Sequence, residues 1–177
     1  RTYTTSVKTG YRILSGFARV NYDYNYRYMV SLVARYDGIS KLSDNRWGFF
    51  PGISAGWNVH EEAFFKDSKF AEVVSLIKPR ISYGLNGNVN GIGNFDVYGK
   101  YGSVGAYNGN LGYLNTGVVN SKLRWEKSHT FELGLDLGFF NNRIHMIMDY
   151  YDRTTSDLLT DVNLPEYTGF PSFKTNL

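Results

Sequence analysis

Read for the spacing of apolar and polar side chains, the chain resolves into six long segments that alternate with period 2, the signature of β-strands with one face buried away from water. They run over Tyr11 to Asp23, Arg27 to Gly38, Trp47 to Val59, Ile77 to Asn86, Lys122 to Phe139 and Arg143 to Asp157. In the fifth, Phe131, Leu133, Leu135, Leu137 and Phe139 line one face. The other face carries Arg124, Glu126, Ser128, Thr130, Glu132, Gly134, Asp136 and Gly138. No amphipathic helix of any length appears; "HEEAFFKDSKFAEVVSL" is expected to hold at most a short helical turn. Pro51, in the middle of the third segment, counts against an uninterrupted strand there.

The connections are uneven. Those at 23–27 and 140–143 are tight and 60–75 is intermediate, whereas 38–46, 87–121 and 158 onward fall at the opposite end of the sheet and include the long ones. Asn141-Asn142 suits a type I′ turn, because Asn tolerates positive φ. That turn sets a register: Phe139 opposite Ile144, Leu137 opposite Met146, Leu135 opposite Met148 and Leu133 opposite Tyr150. On the other face it puts Thr130 across from Arg153, with Glu132 diagonal to the same arginine.

Strand length decides what the apolar faces meet. Strands of water-soluble domains usually run about five or six residues, and a soluble antiparallel sandwich would produce the same alternation in shorter pieces. From Phe131 to Phe139 there are eight steps of ~3.4 Å, or ~27 Å. Tilted by ~40°, that gives a band ~21 Å tall, close to the ~25 Å apolar belt of an outer-membrane barrel. Beyond it the same face changes to His129 and Lys127. The expected lipid-facing residues are Phe131, Leu133, Leu135, Leu137, Phe139, Ile144, Met146 and Met148, and the expected lumen-facing ones Arg80, Arg124, Glu126, Glu132, Asp136 and Arg153. Phe139 and Phe140 at the turn, with Tyr150 and Tyr151 towards the other end, suit interfacial aromatic girdles. The tight Asn-Asn turn is then expected at the periplasmic rim.

Composition agrees. Of 177 residues, 17% are aromatic, Gly numbers 19 and Pro 4, a profile of strands joined by Gly- and Asn-rich turns. Mean hydropathy is −0.33 and no run approaches the ~20 apolar residues of a membrane helix, which leaves a β-barrel untouched because its strands meet lipid only at alternate residues. The net charge of +3 is scattered, which argues against a nucleic-acid partner. Without cysteine there is no disulfide, thiolate metal site or cysteine nucleophile. Six strands are too few to close a transmembrane barrel, since single-chain barrels start at about eight. The chain, opening at Arg1 and ending in "PSFKTNL", is therefore expected to be part of a larger wall.

Bond chemistry finds no support. Glu132 and Asp136 are four strand steps, ~13 Å, apart, beyond the ~5–9.5 Å used in glycoside hydrolysis. His60, His129 and His145 lie on different segments without a carboxylate at ligand spacing, so no metal site and no cofactor is expected. "GNVNGIGN" lacks the lysine and following helix of a phosphate loop. The stretch 87–121 is the leading binding loop, and Tyr98, Tyr101, Tyr107 and Tyr113 are the candidates for stacking on sugars or meeting a partner. Arg19, Arg35, Arg80 and Arg124 are expected to pair with carboxylates of wall or plug.

Beside this reading stands a resemblance. "GFARVNYDYNYRYMVSLVARYDGISKL", "DNRWGFFPGISAGWNVHEEAFFKD", "KPRISYGLNGN", "LRWEKSHTFELGLDLGFFNNRIHMIMDYYDRTTSDLL" and "LPEYTGF" closely resemble, in order, the C-terminal barrel of SusC-like TonB-dependent outer-membrane transporters. Asn45 to Pro51, Leu123 to Glu126 and Gly134 to Asp136 are the most specific parts. The resemblance implies a barrel of about 22 strands, plugged by an N-terminal domain and energised through TonB. It also implies a SusD-like surface lipoprotein as a lid and a glycan or peptide substrate. On this reading residues 1–177 are a partial barrel domain with no enzymatic activity. The rival expectations are a soluble carbohydrate-binding sandwich and a passive porin.

Overall fold

A computed structural model describes residue 6 and residues 8–99 and 101–177, except the side chain of Val104. Six antiparallel strands form one open sheet: β1 (Ile13–Tyr24), β2 (Tyr28–Ile39), β3 (Trp47–Trp57), β4 (Val74–Asn88), β7 (Glu126–Phe139) and β8 (Ile144–Ser156), in that spatial order. Between β4 and β7 stands a separate hairpin, β5 (Tyr101–Tyr107) with β6 (Asn110–Asn115), and after β8 a second one, β9 (Leu159–Asn163) with β10 (Ser172–Asn176). The six strands are those the alternation predicts, with shifted ends. The two hairpins escape it because they are short. In the first, glycines at 102, 105 and 112 and a register shift between Ser103 and Gly105 erase any period.

The β7–β8 hairpin takes the predicted register: Phe139, Leu137, Leu135 and Leu133 face Ile144, Met146, Met148 and Tyr150, and Thr130 faces Arg153. Asn141 and Asn142 have φ of 57° and 61°, and the Arg143 amide donates to the Phe140 carbonyl at 3.3 Å, as a primed turn requires. Phe140 also sits at φ 53°, which nothing in the sequence announces; its amide donates to the Val73 carbonyl at 2.8 Å. Asn142 is clipped to the start of β4, its amide donating to Ser75 Oγ (2.9 Å) while that hydroxyl donates to Asn142 Oδ1 (3.0 Å).

Two prolines bracket the shortest ladder of the sheet. β3 and β4 pair only over Gly52–Gly56 and Arg80–Gly84, and Pro51 and Pro79 stand immediately before those two stretches. Pro51 faces Ala34 on β2 and Pro79 faces Leu135 on β7. Each missing N–H thus falls where the β3–β4 ladder has already opened, and the objection to a strand through Pro51 disappears.

Register carries one apolar face across all six strands. Successive rows are Tyr22, Val30, Ala55, Ile81, Leu133 and Tyr150, then Val20, Leu32, Ile53, Tyr83 and Phe131, the second row ending on Asp152 of β8, beyond that strand's apolar stretch. Aromatic pairs frame the band at both ends of β2: Tyr28 stacks on Tyr24 and Trp57 (centroids 6.4 and 6.2 Å), and Tyr36 stacks on Trp47 at 5.0 Å and 2°. Eight strand steps separate Tyr28 from Tyr36, ~27 Å along the strand. The predicted girdle needs one correction. Tyr150 closes the apolar band of β8, but Tyr151 pairs with Glu132 on the polar face.

No second layer covers the apolar face among the described residues; Leu32 and Ile53 are 47% and 51% exposed. The packed core lies instead at the long-loop end, where Ile39, Leu42, Phe50, Val89, Ile92, Val97, Leu123 and Trp125 are buried together.

Candidate functional site: a polar wall and a loop platform

On the polar face a cluster of charged side chains from three strands is ion-paired. Arg80 on β4 is the hub: Nη2 lies 3.0 Å from Asp136 Oδ1 and 2.8 Å from Asp149 Oδ1, Nε donates to Asp136 at 3.1 Å, and Nη1 stands 4.0 Å from Glu132. The guanidinium crosses β7 over Gly134. A Cβ there would come within 2.7 Å of Arg80 Cζ and of Asp149 Oδ1, so the glycine makes room for a contact spanning three strands. Sequence reasoning placed Arg80, Glu132 and Asp136 on this face and did not single out Asp149. Its signal was available, since it faces Gly134 in the predicted register.

Other predicted polar residues are placed differently. Arg153 donates to Thr130 Oγ1 (3.2 Å), while the Glu132 carboxylate turns to Arg80 and Ser82, the latter at 3.4 Å, rather than to Arg153. Glu126 accepts from the Leu159 amide and Asn88 Nδ2, both at 3.3 Å. Arg124 does not lie on the wall: β7 starts only at Glu126, and Arg124 pairs with Asp157 at 2.6 Å in the loop layer. Arg35 pairs with the buried Asp37.

Removing the hub should leave three wall carboxylates without their shared cation. For Arg80→Met in the full chain we expect a loss of ~1.5–2 kcal/mol, the low end for charged hydrogen bonds because Arg80 is a third exposed. Thermal unfolding in detergent checks it, and adding Asp149→Asn should restore part of the loss; equal midpoints for wild type and Arg80→Met would contradict it.

At the long-loop end the connections form a platform. Phe50 points across the glycines at 48 and 87 and meets Trp125 edge-on (5.3 Å, 66°), and the Trp125 indole donates to the Arg46 carbonyl at 3.0 Å. β10 straps the layer down. Asn176 Nδ2 donates to the Arg124 and Asp157 carbonyls (3.0 and 2.7 Å), its Oδ1 accepts from the Arg124 amide, and Lys174 Nζ reaches the Gly91 carbonyl at 2.6 Å and Asp96 at 3.4 Å. Nothing in the alternation marks Lys174 or Asn176, which act through a fold contact between distant loops.

Three of the four candidate tyrosines belong to the β5–β6 hairpin, which contributes no residue to this buried core. Tyr101 and Tyr113 share one face of the β5–β6 hairpin, with Ser103 opposite Tyr113. Tyr107 is at its turn, 89% exposed, and Tyr98 precedes it, donating its amide to the Phe95 carbonyl.

At the tight-turn end Glu62 is the organising group. It accepts from Tyr28 Oη (2.8 Å) and Trp57 Nε1 (3.2 Å) and pairs with Arg27 at 3.2 Å. The hydroxyl and indole donors hold its carboxyl below the usual carboxylate range. The histidines are spread over the fold: His129 shares a hydrogen bond with Tyr83 Oη (2.9 Å) and His60 contacts the Ile77 carbonyl (3.3 Å). No group of three His, Cys, Asp or Glu suited to a metal ion occurs among the described residues.

Comparison with known proteins matches residues 1–176 to a family described as TonB dependent receptor-like, beta-barrel. TonB-dependent receptor P39 of Formosa agariphila is 36% identical over 170 residues, which are 96% of this chain and 16% of that protein. TonB-dependent receptor SusC of Bacteroides thetaiotaomicron is 38% identical, over 94% of this chain and 17% of its own length. Among solved structures, that of the RagAB peptide transporter superposes with a TM-score of 0.85 at 31% identity, over 94% of this chain and 18% of the other. The chain thus spans about one sixth of the length of the relatives it matches.

Proposed function

Because this chain belongs to the TonB-dependent receptor β-barrel family, we propose that it is a stretch of the barrel wall of an active importer in the outer membrane. That importer takes up glycans or oligopeptides, is energised through TonB, and works with a SusD-like surface lipoprotein. The observation that carries the reading is the two-sidedness of the sheet. One face is predominantly apolar across the six strands, with aromatic pairs at both ends of β2, and the other carries the ion-paired cluster around Arg80. A water-soluble sandwich would bury the first face under a second sheet.

In this role Leu133, Leu135, Leu137 and their row neighbours meet lipid, and Arg80, Glu132, Asp136 and Arg153 face the lumen and its plug. The loop platform with the β5–β6 tyrosines meets substrate and lid on the cell surface. The wall binds and shapes and performs no bond chemistry. The ion-paired network around Arg80 gives the lumen a polar surface that keeps its geometry without substrate.

The test is uptake by cells carrying the full-length protein in the outer membrane, with labelled oligopeptides and oligosaccharides offered separately. Accumulation of one class is expected, abolished when the inner-membrane proton gradient is dissipated. Uptake that survives dissipation would identify a passive pore, and a protein recovered in the soluble fraction would overturn the wall assignment.

A further inference from the structure

The segment joining β3 to β4 has a feature its role as a connection does not require. Phe64 and Phe70, on the short helical turns Ala63–Lys66 and Lys69–Glu72, and Val73 just after the second are 64%, 74% and 44% exposed. We infer that this segment is a foot that rests in the membrane interface, with these side chains in the boundary between headgroups and acyl chains of the leaflet at the tight-turn end. The inference rests on the reading of the apolar face as lipid-facing.

Three observations support it. The foot starts at the lipid-side rim, because Glu62 at its head is held by Tyr28 Oη and Trp57 Nε1, and both residues belong to the lower aromatic row of the apolar face. It also ends there: the Val73 carbonyl accepts from the amide of Phe140, itself 52% exposed, so the apolar patch continues into the β7–β8 turn.

Part of the backbone is paired within the segment. Amides of Phe65, Lys66, Asp67, Ser68, Ala71 and Val73 all donate within the segment, and Ser68 Oγ donates to the Phe65 carbonyl at 2.6 Å. Such internal pairing lowers the cost of seating the segment ~5–10 Å into the interface.

Charge selects the occupant. Glu61, Glu62, Asp67 and Glu72 stand against Lys66 and Lys69, four carboxylates to two ammonium groups, and Lys66 is already paired with Glu61 at 2.6 Å. Such a segment does not recruit anionic headgroups. Its attraction is apolar, and the partner that fits is a zwitterionic phospholipid such as phosphatidylethanolamine.

The experiment places one cysteine in the full chain at Phe64→Cys or Phe70→Cys. It carries an environment-sensitive fluorophore, in phosphatidylethanolamine–phosphatidylcholine vesicles containing lipids with a nitroxide at the headgroup or at mid-chain. Both positions should be quenched severalfold more strongly by the headgroup nitroxide than by the mid-chain one. Leu133→Cys should show the reverse order, and Tyr107→Cys should respond to neither. If 64 and 70 behave like 107 while 133 is quenched, the foot is wrong and a protein partner covers it, with the wall reading intact. If 133 is itself unquenched, the wall reading falls. Adding phosphatidylglycerol should leave the quenching unchanged, and a severalfold increase would overturn the apolar account.

Discussion

Leu32→Arg should destabilise the folded, membrane-inserted protein by ~2–4 kcal/mol, the cost of a cation on the lipid face near the bilayer midplane. Leu32 lies midway along β2 between Tyr28 and Tyr36, the two residues that mark the aromatic rows, and its row neighbours are Val20 and Ile53. An arginine there has four strand steps to either row, ~14 Å along the strand, too far for its head to reach water without thinning the bilayer. The control is its neighbour on the other face. Ser31 donates to Asn21 Oδ1 at 2.7 Å and faces Ser54, so Ser31→Arg loses about one hydrogen bond, ~1 kcal/mol, and gains room among small side chains. Both variants of the full chain are compared by the denaturant midpoint of the heat-modifiable band in lipid vesicles. Equal losses at 31 and 32, or a larger one at 31, would mean that the two faces have been assigned the wrong way round.

Trp125→Ala should open the loop platform while leaving the barrel inserted. The side chain is 6% exposed, meets Phe50 edge-on and donates to the Arg46 carbonyl. Truncating a buried Trp costs ~3–5 kcal/mol. That core holds eight buried residues drawn from the connections 40–46 and 89–125 and from β2 and β3, so the loss exceeds what straps such as Asn176 and Lys174 supply. Hydrogen exchange should show amides in 89–97 losing protection, among them Ile92, which donates to Val89, and Tyr98 beyond them. Affinity for substrate or lid should fall with them. Tyr107→Ala, at a position 89% exposed, should change stability by less than ~0.5 kcal/mol and serves as the comparison. Unchanged exchange in Trp125→Ala would show that the straps alone hold the layer.

The fold was legible in the sequence where one physical constraint acts over many residues in a row. A face that must avoid water imposes period 2 over a dozen positions, so the six wall strands, the pairing of Leu133, Leu135, Leu137 and Phe139 and the Asn141-Asn142 turn could all be read from spacing. The same constraint placed Arg80, Glu132 and Asp136 on one polar face. It misled at strand ends, where the constraint stops: alternation ran back to Lys122, whereas pairing begins at Glu126, and Arg124 consequently lies in the loops. It also put Tyr151 with Tyr150 in a girdle, although consecutive strand residues point to opposite faces.

The sequence by itself determined the wall: which strands exist, which residues share a face, and that the apolar face is long enough to span a membrane. Tertiary structure alone decided which polar groups meet, because a contact such as Arg80 reaching Asp149 depends on the empty place at Gly134. It alone decided that the long connections form a buried core strapped by Lys174 and Asn176. Periodicity records the environment of a continuous stretch, whereas these contacts join residues tens of positions apart whose separate neighbourhoods show no shared pattern.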